Sequence, residues 1–429
     1  MKRVLIISPF FVPSNAADMQ RVRMSLPYFK KFGWEAEVVC VDKKHSEMVK
    51  DSLFSESLPL NIKIHTVSAF SKKWTSKLGL GSLALRSIMY YRKYVNDLIS
   101  GKKYDLIYFS TTEFPICILG AYWKYKFGVP FVIDMQDPWH SNYYQDKPKD
   151  QRPPKYWFSY RLNKYLEPIA MKRVDGLISV SDAYIQNLQS RYDQIRKIPT
   201  SVITFGAFKI DFEIALKNKA ILKSAFEKRK GLVHLVYVGR GGKDMQDAVR
   251  LLFTAFKKGL TDQPKEFKKI RFHFIGTSYA PSGSGTQTIF PLSLELGISE
   301  YVEEQTDRIS FYQSIRTLME ADALFIPGSN DPQYTASKIY PYILAQKPLL
   351  AIFNRSSNAY TIIEECNGGK VIDIADTKIG VNNIYSFLLS LANNELKLCD
   401  TNWDKFQEFT AENMTRKQSE LFYKVLSHS

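Results

Sequence analysis

Small polar and cationic residues follow a short apolar run late in the chain. Residues 323–326 read as a buried strand that ends in a Pro-Gly turn, and a polar loop leads to Ser337 and Lys338, where a helix should begin. Free N–H groups at a helix start after a parallel strand attract anions, whereas a lysine there opposes the helix dipole unless it faces a bound phosphate. The segment therefore predicts a diphosphate site that includes Thr335, Ser337 and Lys338.

A second basic loop supports this site. Residues 234–238 form an apolar strand that leads into Gly-Arg-Gly-Gly-Lys, which carries Arg240 and Lys243. Cations that stabilise developing negative charge in a dry cleft usually make the largest contribution to catalysis, so Arg240 and Lys338 are candidate catalytic residues. The alternative for Lys338 is a solvated lysine among 59 basic residues.

The loop after residues 131–134 carries carboxylate, indole and imidazole side chains within a short stretch. Asp137 is the first candidate for an acid/base or acceptor-binding role and His140 the second. Trp139 between them is a candidate for contact with the acceptor. Asp134 has a structural alternative, a bond to backbone at the strand end.

The loop after the first predicted strand combines small residues with arginines. Ser14 and Asn15 would let a substrate approach the backbone, and Arg21 and Arg23 offer forked donors to phosphate or carboxylate. This loop is predicted to bind the acceptor. The alternative is that its arginines face solvent. No GxGxxG motif follows the strand, which weighs against a dinucleotide cofactor.

Length and composition indicate a folded protein with two domains. The chain has 429 residues, which is too long for one ordinary hydrophobic core. Its hydrophobic content of 45% is typical of a folded globular protein. The four cysteines are widely spaced and the six histidines form no cluster, so neither disulfides nor a zinc site are indicated and a cytoplasmic location is expected. No apolar run is long enough to span a membrane.

Short apolar strands alternate with segments of helical period through both halves, which predicts α/β architecture with two doubly wound parallel sheets. Seven strands are expected before residue 206 and six after residue 233. The predicted divisions are an N-terminal domain at 1–205, a linker region at 206–231, a C-terminal domain at 232–401 and a closing helix at 402–429 that packs across both. Ligands of such sheets bind at the carboxyl ends of the strands.

Positive charge is concentrated in the first half of the chain. Residues 1–200 carry 31 Lys and Arg against 18 Asp and Glu, or +13 of the net +16. Two segments, 71–94 and 147–173, interleave these cations with aromatic and aliphatic residues, as suits the surface of an anionic bilayer. A solvated basic face above ordinary core aromatics is the alternative.

The order of these segments resembles the retaining, nucleotide-sugar-dependent glycosyltransferases of the two-Rossmann (GT-B) type, similar to family 4. The likeness covers nearly the whole chain. It is carried by Ile-Ser-Pro-Phe-Phe-Val-Pro at 7–13, Asp-Met-Gln-Asp-Pro-Trp at 134–139, Ile-Ser-Val-Ser at 178–181, Tyr-Val-Gly-Arg at 237–240 and Ser-Lys-Ile-Tyr-Pro-Tyr at 337–342.

The resemblance implies that Arg240, with Lys243 or Lys338, holds the donor diphosphate and that the N-terminal domain holds the acceptor. Retention in this family is thought to need no protein nucleophile, because the leaving phosphate receives the acceptor proton on the same face. Asp331 and Gln333 would contact the donor sugar. The family's two glutamates, which are separated by seven intervening residues, fall on Gln333 and Pro341, and a proline side chain offers ribose no hydrogen bond.

The resulting expectation is a cytoplasmic, hexosyltransferase-type enzyme that moves a sugar from a nucleotide diphosphate to a glycan or lipid-linked acceptor in cell-surface polysaccharide synthesis. Neither metal nor cofactor is expected, and contact with an anionic membrane at its inner face is one expected partnership. The competing hypothesis is a degenerate, non-catalytic GT-B protein that binds nucleotide or glycan as a partner subunit. Nucleic-acid binding is disfavoured, since no reader motif is present.

Overall fold

The computed structural model describes residues 1–142, 144, 145, 147–152, 155–329 and 337–428. The chain divides into two compact units. The first comprises Met1–Gly206 together with Phe409–Ser429, and the second comprises Ala207–Glu408. Each unit contains one parallel sheet covered by helices, as the alternating apolar pattern predicts.

The first unit holds a seven-stranded sheet in the order β3-β2-β1-β4-β5-β6-β7. All its strand pairs are parallel. The strands are β1 Lys2–Ile7, β2 Trp34–Val41, β3 Lys63–Val67, β4 Leu106–Ser110, β5 Phe131–Met135, β6 Gly176–Ser179 and β7 Thr200–Val202. The order reverses between β1 and β4, which is where ligands of doubly wound sheets bind.

Aromatic side chains cover both faces of this sheet. On one face Tyr108 contacts Phe422 at a ring distance of 5.0 Å, and on the other Phe109 stacks on Trp123 at 6.0 Å. Neighbours on a strand point to opposite faces, so a fully apolar strand such as β4 requires helices on both sides. The α-helices of this unit are Met19–Ser25, Lys72–Thr75, Leu83–Gly101, Ile118–Phe127, Tyr156–Met171, Asp182–Arg191 and Ala411–His428.

The second unit holds a six-stranded sheet in the order β10-β9-β8-β11-β12-β13, again with parallel pairs. The strands are β8 Val233–Val238, β9 Ile270–Ile275, β10 Val302–Gln305, β11 Ala323–Pro327, β12 Leu349–Phe353 and β13 Lys370–Asp373. The order reverses between β8 and β11. The α-helices are Lys209–Lys217, Gln246–Asp262, Pro264–Phe267, Phe290–Glu295, Phe311–Glu320, Ile339–Leu344, Asn358–Glu365, Thr377–Ala392 and Trp403–Phe406.

The predicted fold class, two Rossmann-like sheets of the GT-B type, is confirmed, but two helical segments differ from the pattern. The helix that begins at Met19 ends at Ser25, because Pro27 cannot continue it, and a 3-10 turn covers Phe29–Phe32. The amphipathic segment from Trp403 contains two α-helices with a 3-10 turn between them at Gln407–Phe409. Thr410 starts the second, since its hydroxyl accepts a bond from the Asn413 N–H.

Residues 207–231, assigned from sequence to a linker, lie in the second unit. They contain the helix Lys209–Lys217, in which the buried Asp211 accepts a hydrogen bond from the Tyr312 hydroxyl at 3.0 Å. The final helix, Ala411–His428, lies in the first unit, where Phe422 packs on Trp34 with rings 5.3 Å apart.

Candidate functional site

The loops after β8 and β11 bring Arg240 and Lys338 to the switch point of the second sheet. The Lys338 ammonium donates to the Tyr237 hydroxyl at 2.8 Å and lies 5.0 Å from the centre of that ring. The same hydroxyl donates to the carbonyl oxygen of Arg240 at 2.8 Å. Tyr237 therefore links the two loops from which a diphosphate site was predicted.

A third cation, Arg308, follows β10, the edge strand of the same sheet. Its guanidinium lies over the Tyr279 ring at 4.8 Å. Burial, and then the positive charges of Arg240 and Arg308, lower the pKa of Lys338 to about 8. Like charges disfavour the protonated lysine, and a bound anion would relieve that repulsion. The charge distribution is thus suited to hold a polyanion.

Arg240 has a carboxylate partner that its sequence environment did not suggest. Its guanidinium donates both Nη groups to Asp244, at 2.9 and 2.7 Å, and this bond lowers the pKa of the Asp244 carboxyl. Asp244 thereby orients the Arg240 guanidinium and offsets part of its positive charge. Lys243 and Ser337, the other described candidates here, are exposed.

Three predicted residues, Asp331, Gln333 and Thr335, lie outside the described residues. Pro341 is described and sits in the helix Ile339–Leu344, which begins one residue after Lys338. Its ring has no polar atom, so the position of the second family glutamate contributes no side-chain hydrogen bond.

The two arginines of the first loop do not face a substrate, contrary to their predicted role in acceptor binding. Arg21 is 0% exposed and donates to Asp134 at 2.7 Å and to the carbonyl of Ile203 at 2.7 Å. Arg23 is equally buried and donates to Gln20 and Ser57. A buried guanidinium must be paired internally, so both arginines hold the fold of the first unit.

Ser14 and Asn15 belong to an ordered turn. Ser14 is buried and forms an isolated antiparallel bridge with Lys50. The Asn15 N–H donates to the Val49 carbonyl at 2.7 Å. These contacts tie the loop to residues 49 and 50.

Asp137 lies at the carboxyl end of β5 and is exposed. Loss of solvent around its carboxylate, and then the negative charge of Asp18, raise its pKa. Asp18 follows β1 at the sheet's switch point and is buried, where it accepts bonds from Thr111 and from the Thr112 N–H and hydroxyl. Asp137 is therefore a predicted N-terminal residue that is open to a ligand.

Trp139 and His140 turn inward. Trp139 is 4% exposed, stacks on Phe114 and donates to Asn163, so its predicted contact with the acceptor is wrong for this conformation. His140 Nδ1 accepts a hydrogen bond from the Arg191 guanidinium at 3.3 Å. The buried Nε2 of the same ring has no partner among the described residues. Burial, with the charges of Arg191 and Lys164, lowers the pKa of His140. A neutral ring with one nitrogen buried and the other bonded to Arg191 is poorly suited to acid/base catalysis.

Sequence reasoning missed Arg308, Tyr237 and Asp18. Arg308 and Asp18 both follow predicted strands, so the rule that singled out Arg240 applied to them as well. Tyr237 gave no such signal, because its position within an apolar strand is typical of a core residue.

Among the described residues, no group of His, Cys, Asp and Glu is arranged to hold a metal ion. No helix in the described part of the chain has the length and apolarity needed to cross a membrane.

Comparison with known proteins agrees with this architecture. Residues 22–206 match the family model described as Glycosyltransferase Family 4. No curated protein sequence matches the chain.

Solved structures resemble the chain over its full length. Anabaena Alr3699/HepE in complex with UDP shares 15% identity over 98% of this chain and 99% of that one, with a TM-score of 0.54. Sucrose-phosphate synthase from Thermosynechococcus elongatus shares 12% over 100% of each chain, with a TM-score of 0.55. S. aureus TarM in complex with Fondaparinux, alpha-GlcNAc-glycerol and UDP shares 10% over 98% and 100%, also with 0.55. At such identities the likeness defines the fold, which is GT-B.

Proposed function

We propose that this chain is a glycosyltransferase that moves a sugar, with retention, from a nucleotide diphosphate to a glycan or lipid-linked acceptor. The observation that carries the proposal is the meeting of Lys338 and Arg240 at the switch point of the second sheet, with Arg308 near enough for its charge to act on Lys338. Burial, and then the positive charges of Arg240 and Arg308, lower the pKa of Lys338, and a bound diphosphate would remove the repulsion between these cations.

Arg240 and Lys338 each have a defined part in this proposal. Arg240, oriented by Asp244, presents a planar fork that suits phosphate oxygens. Lys338, fixed by Tyr237, adds a compact charge next to the bond that breaks. As the sugar leaves the nucleotide, negative charge grows on the terminal phosphoryl oxygen, and preorganised cations stabilise that charge more than they stabilise the ground state.

Arg240, Arg308 and Lys338 would supply the positive charge for which other enzymes use a divalent ion. The catalysis is accordingly proposed to need no metal. Nucleotide and phosphate charge would be matched by side chains alone.

The acceptor is assigned to the first unit, at the carboxyl ends of its strands. Asp137 is open to solvent there, and its raised pKa suits a carboxylate that hydrogen-bonds a sugar hydroxyl. The acceptor proton would pass to the leaving phosphate on the same face, so Asp137 would position the acceptor and not form a covalent intermediate.

Nucleotide release is the direct test. UDP-glucose is the first donor to try, because a structurally similar protein has been solved with it, and other nucleotide sugars follow. Release of nucleoside diphosphate that depends on added glycan or lipid-linked acceptor supports the proposal. Lys338→Ala should abolish that release, whereas Lys257→Ala, on an exposed position of the helix Gln246–Asp262, should leave it unchanged.

Pro341 favours a second candidate, a non-catalytic subunit that binds nucleotide or glycan, since it removes a hydrogen-bonding position of the family. Calorimetric titration with UDP and UDP-glucose distinguishes the two. Tight binding without product under every donor and acceptor tried would identify the binding protein.

A further inference from the structure

Two basic segments that are far apart in sequence meet on the surface of the first unit. The Lys155 ammonium donates to the Ser76 carbonyl at 2.7 Å. A Cβ at Gly79 would lie 2.9 Å from the Phe158 ring, so backbone and ring are in close contact. The stretch 71–80 therefore packs against the start of the helix Tyr156–Met171.

Large apolar side chains stand exposed at this junction. Trp74 is 69% exposed, Leu78 73% and Trp157 63%. Single exposed apolar residues are ordinary, but two indoles and a leucine around one contact are a surface that favours a partner. Tryptophan is the residue most suited to the boundary between water and lipid, because its ring is apolar and its N–H is polar.

Cations accompany both indoles. Lys77 lies 5.3 Å from the centre of the Trp74 ring, and Arg161 lies 5.7 Å from that of Trp157. Lys73 is exposed beside Trp74. We call Lys73, Trp74, Lys77, Leu78, Trp157 and Arg161 the basic–aromatic patch. A ring that enters the headgroup layer would thus bring a cation to the level of the lipid phosphates.

The acidic side chains that the structure describes on and beside these two segments do not pair with the patch. Residues 71–80 contain neither Asp nor Glu. The helix Tyr156–Met171 contains Glu167, which is buried and paired with Arg191. Glu47 pairs with Lys72, so Lys72 is left out of the patch.

We infer that the basic–aromatic patch docks the first unit on an anionic lipid bilayer. Charge complementarity selects this occupant, since the patch joins cations that pair with none of the described carboxylates to exposed indoles, and acidic headgroups over acyl chains present the matching order. The inference concerns binding and does not depend on the proposed sugar transfer. A chain that docks without turnover would leave it intact.

Co-sedimentation of the full chain with vesicles tests the inference. We expect binding to an equal mixture of phosphatidylglycerol and phosphatidylcholine, and little to phosphatidylcholine alone. Reversing Lys73, Lys77 and Arg161 to Glu should lower the partition coefficient at least ~100-fold, at about fivefold per charge. The matched control reverses Lys257, Lys265 and Lys268, all exposed in the second unit, and should change binding by less than about threefold, because these residues are not part of the patch.

The indoles are tested separately. Brominated phosphatidylcholine in the anionic vesicles should quench part of the tryptophan fluorescence, and the double variant Trp74→Phe, Trp157→Phe should lose that quenching while it keeps the parental Tm. Equal sedimentation of the patch-reversed and control-reversed variants would overturn the inference. So would quenching that survives in the double variant, or a dimer in solution that the patch variants dissociate, which would assign the patch to a second copy of the chain.

Discussion

The Lys338 ammonium and the Tyr237 hydroxyl are 2.8 Å apart at the carboxyl end of the second sheet. This one bond joins the loops after β8 and β11, because the same hydroxyl donates to the Arg240 carbonyl. Lys338 is thereby held beside Arg240 despite their like charge. The proposed diphosphate site depends on this arrangement.

Removal of the Tyr237 hydroxyl should weaken the site without unfolding it. Tyr237→Phe keeps the buried ring but leaves the lysine and the Arg240 carbonyl without their shared partner, a loss of about 0.5–1.5 kcal/mol, or roughly 2–13-fold in UDP affinity. Lys338→Ala should lose about 1.5–3 kcal/mol because a bond to a charged group is removed. Calorimetry with UDP measures both, and equal affinity of Tyr237→Phe and parent would contradict the role of the hydroxyl.

Nucleotide affinity should fall as the pH rises through 8. The free Lys338 ammonium has a pKa of about 8. A bound diphosphate would raise that pKa, so the complex holds more protons than the free site and binding takes up protons above pH 8. The Kd for UDP should rise toward about tenfold per pH unit there, the limit for one proton. The Kd of the Lys338→Met variant should not show this rise with pH. If the Kd of variant and parent depended on pH in the same way, Lys338 would be excluded from the site.

Gly239 should not tolerate a side chain. Its φ is +156°, and a Cβ would lie 2.3 Å from Lys338 Nζ and 2.9 Å from the Tyr237 oxygen. Gly239→Ala should therefore displace Lys338 and lower UDP affinity at least ~10-fold, as expected for loss of a charged hydrogen bond. Gly231→Ala is the control, because Gly231 has a φ of +82° with open space around it. Both variants carry backbone strain, but only the first should change nucleotide binding.

The stability of the first unit should depend on the buried ion pair between Arg21 and Asp134. Both side chains are 0% exposed, and Arg21→Met would leave a buried carboxylate without its cation, at about 3–5 kcal/mol. Arg3→Ala, which breaks the exposed pair with Glu35, should cost less than ~1 kcal/mol. Hydrogen exchange of the β5 amides reports on this unit separately from the second. Similar exchange in the two variants would show that the pair is dispensable.

Chelation of divalent ions should leave transfer intact, since Arg and Lys side chains are proposed to neutralise the diphosphate. The measurement is nucleotide release before and after dialysis against EDTA, with added Mg²⁺ as the comparison. A loss of activity restored by Mg²⁺ would contradict the proposal for this site.

The local pattern of apolar and polar residues was sufficient to predict the architecture and to point to part of the candidate site. Apolar runs bounded by turn residues identified the strands of both sheets, because side-chain alternation and helical period depend on near neighbours in the chain. The rule that ligands bind after parallel strands led to Arg240, Lys338 and Asp137. Their contacts with a ligand remain predictions.

The same rule failed for Arg21 and Trp139, which follow strands and yet lie buried. Arg21 is enclosed because its partner Asp134 stands 113 residues away on another strand, and no local signal reveals that pairing. Arg308 was overlooked although it follows a predicted strand and the same rule applied to it. Its link to the site is the effect of its charge on Lys338, which only the tertiary structure shows.

The sequence by itself determined that this protein folds as two parallel α/β sheets, that cations follow two strands of the second, and that the first half is basic. These are properties of composition and of short-range period. Tertiary structure alone decided which charges are enclosed and which meet: Lys338 at Tyr237, Arg21 at Asp134, and residues 71–80 against the helix Tyr156–Met171. Strand order and packing bring distant residues together, and burial then decides whether a charge is paired within the protein or left for a ligand.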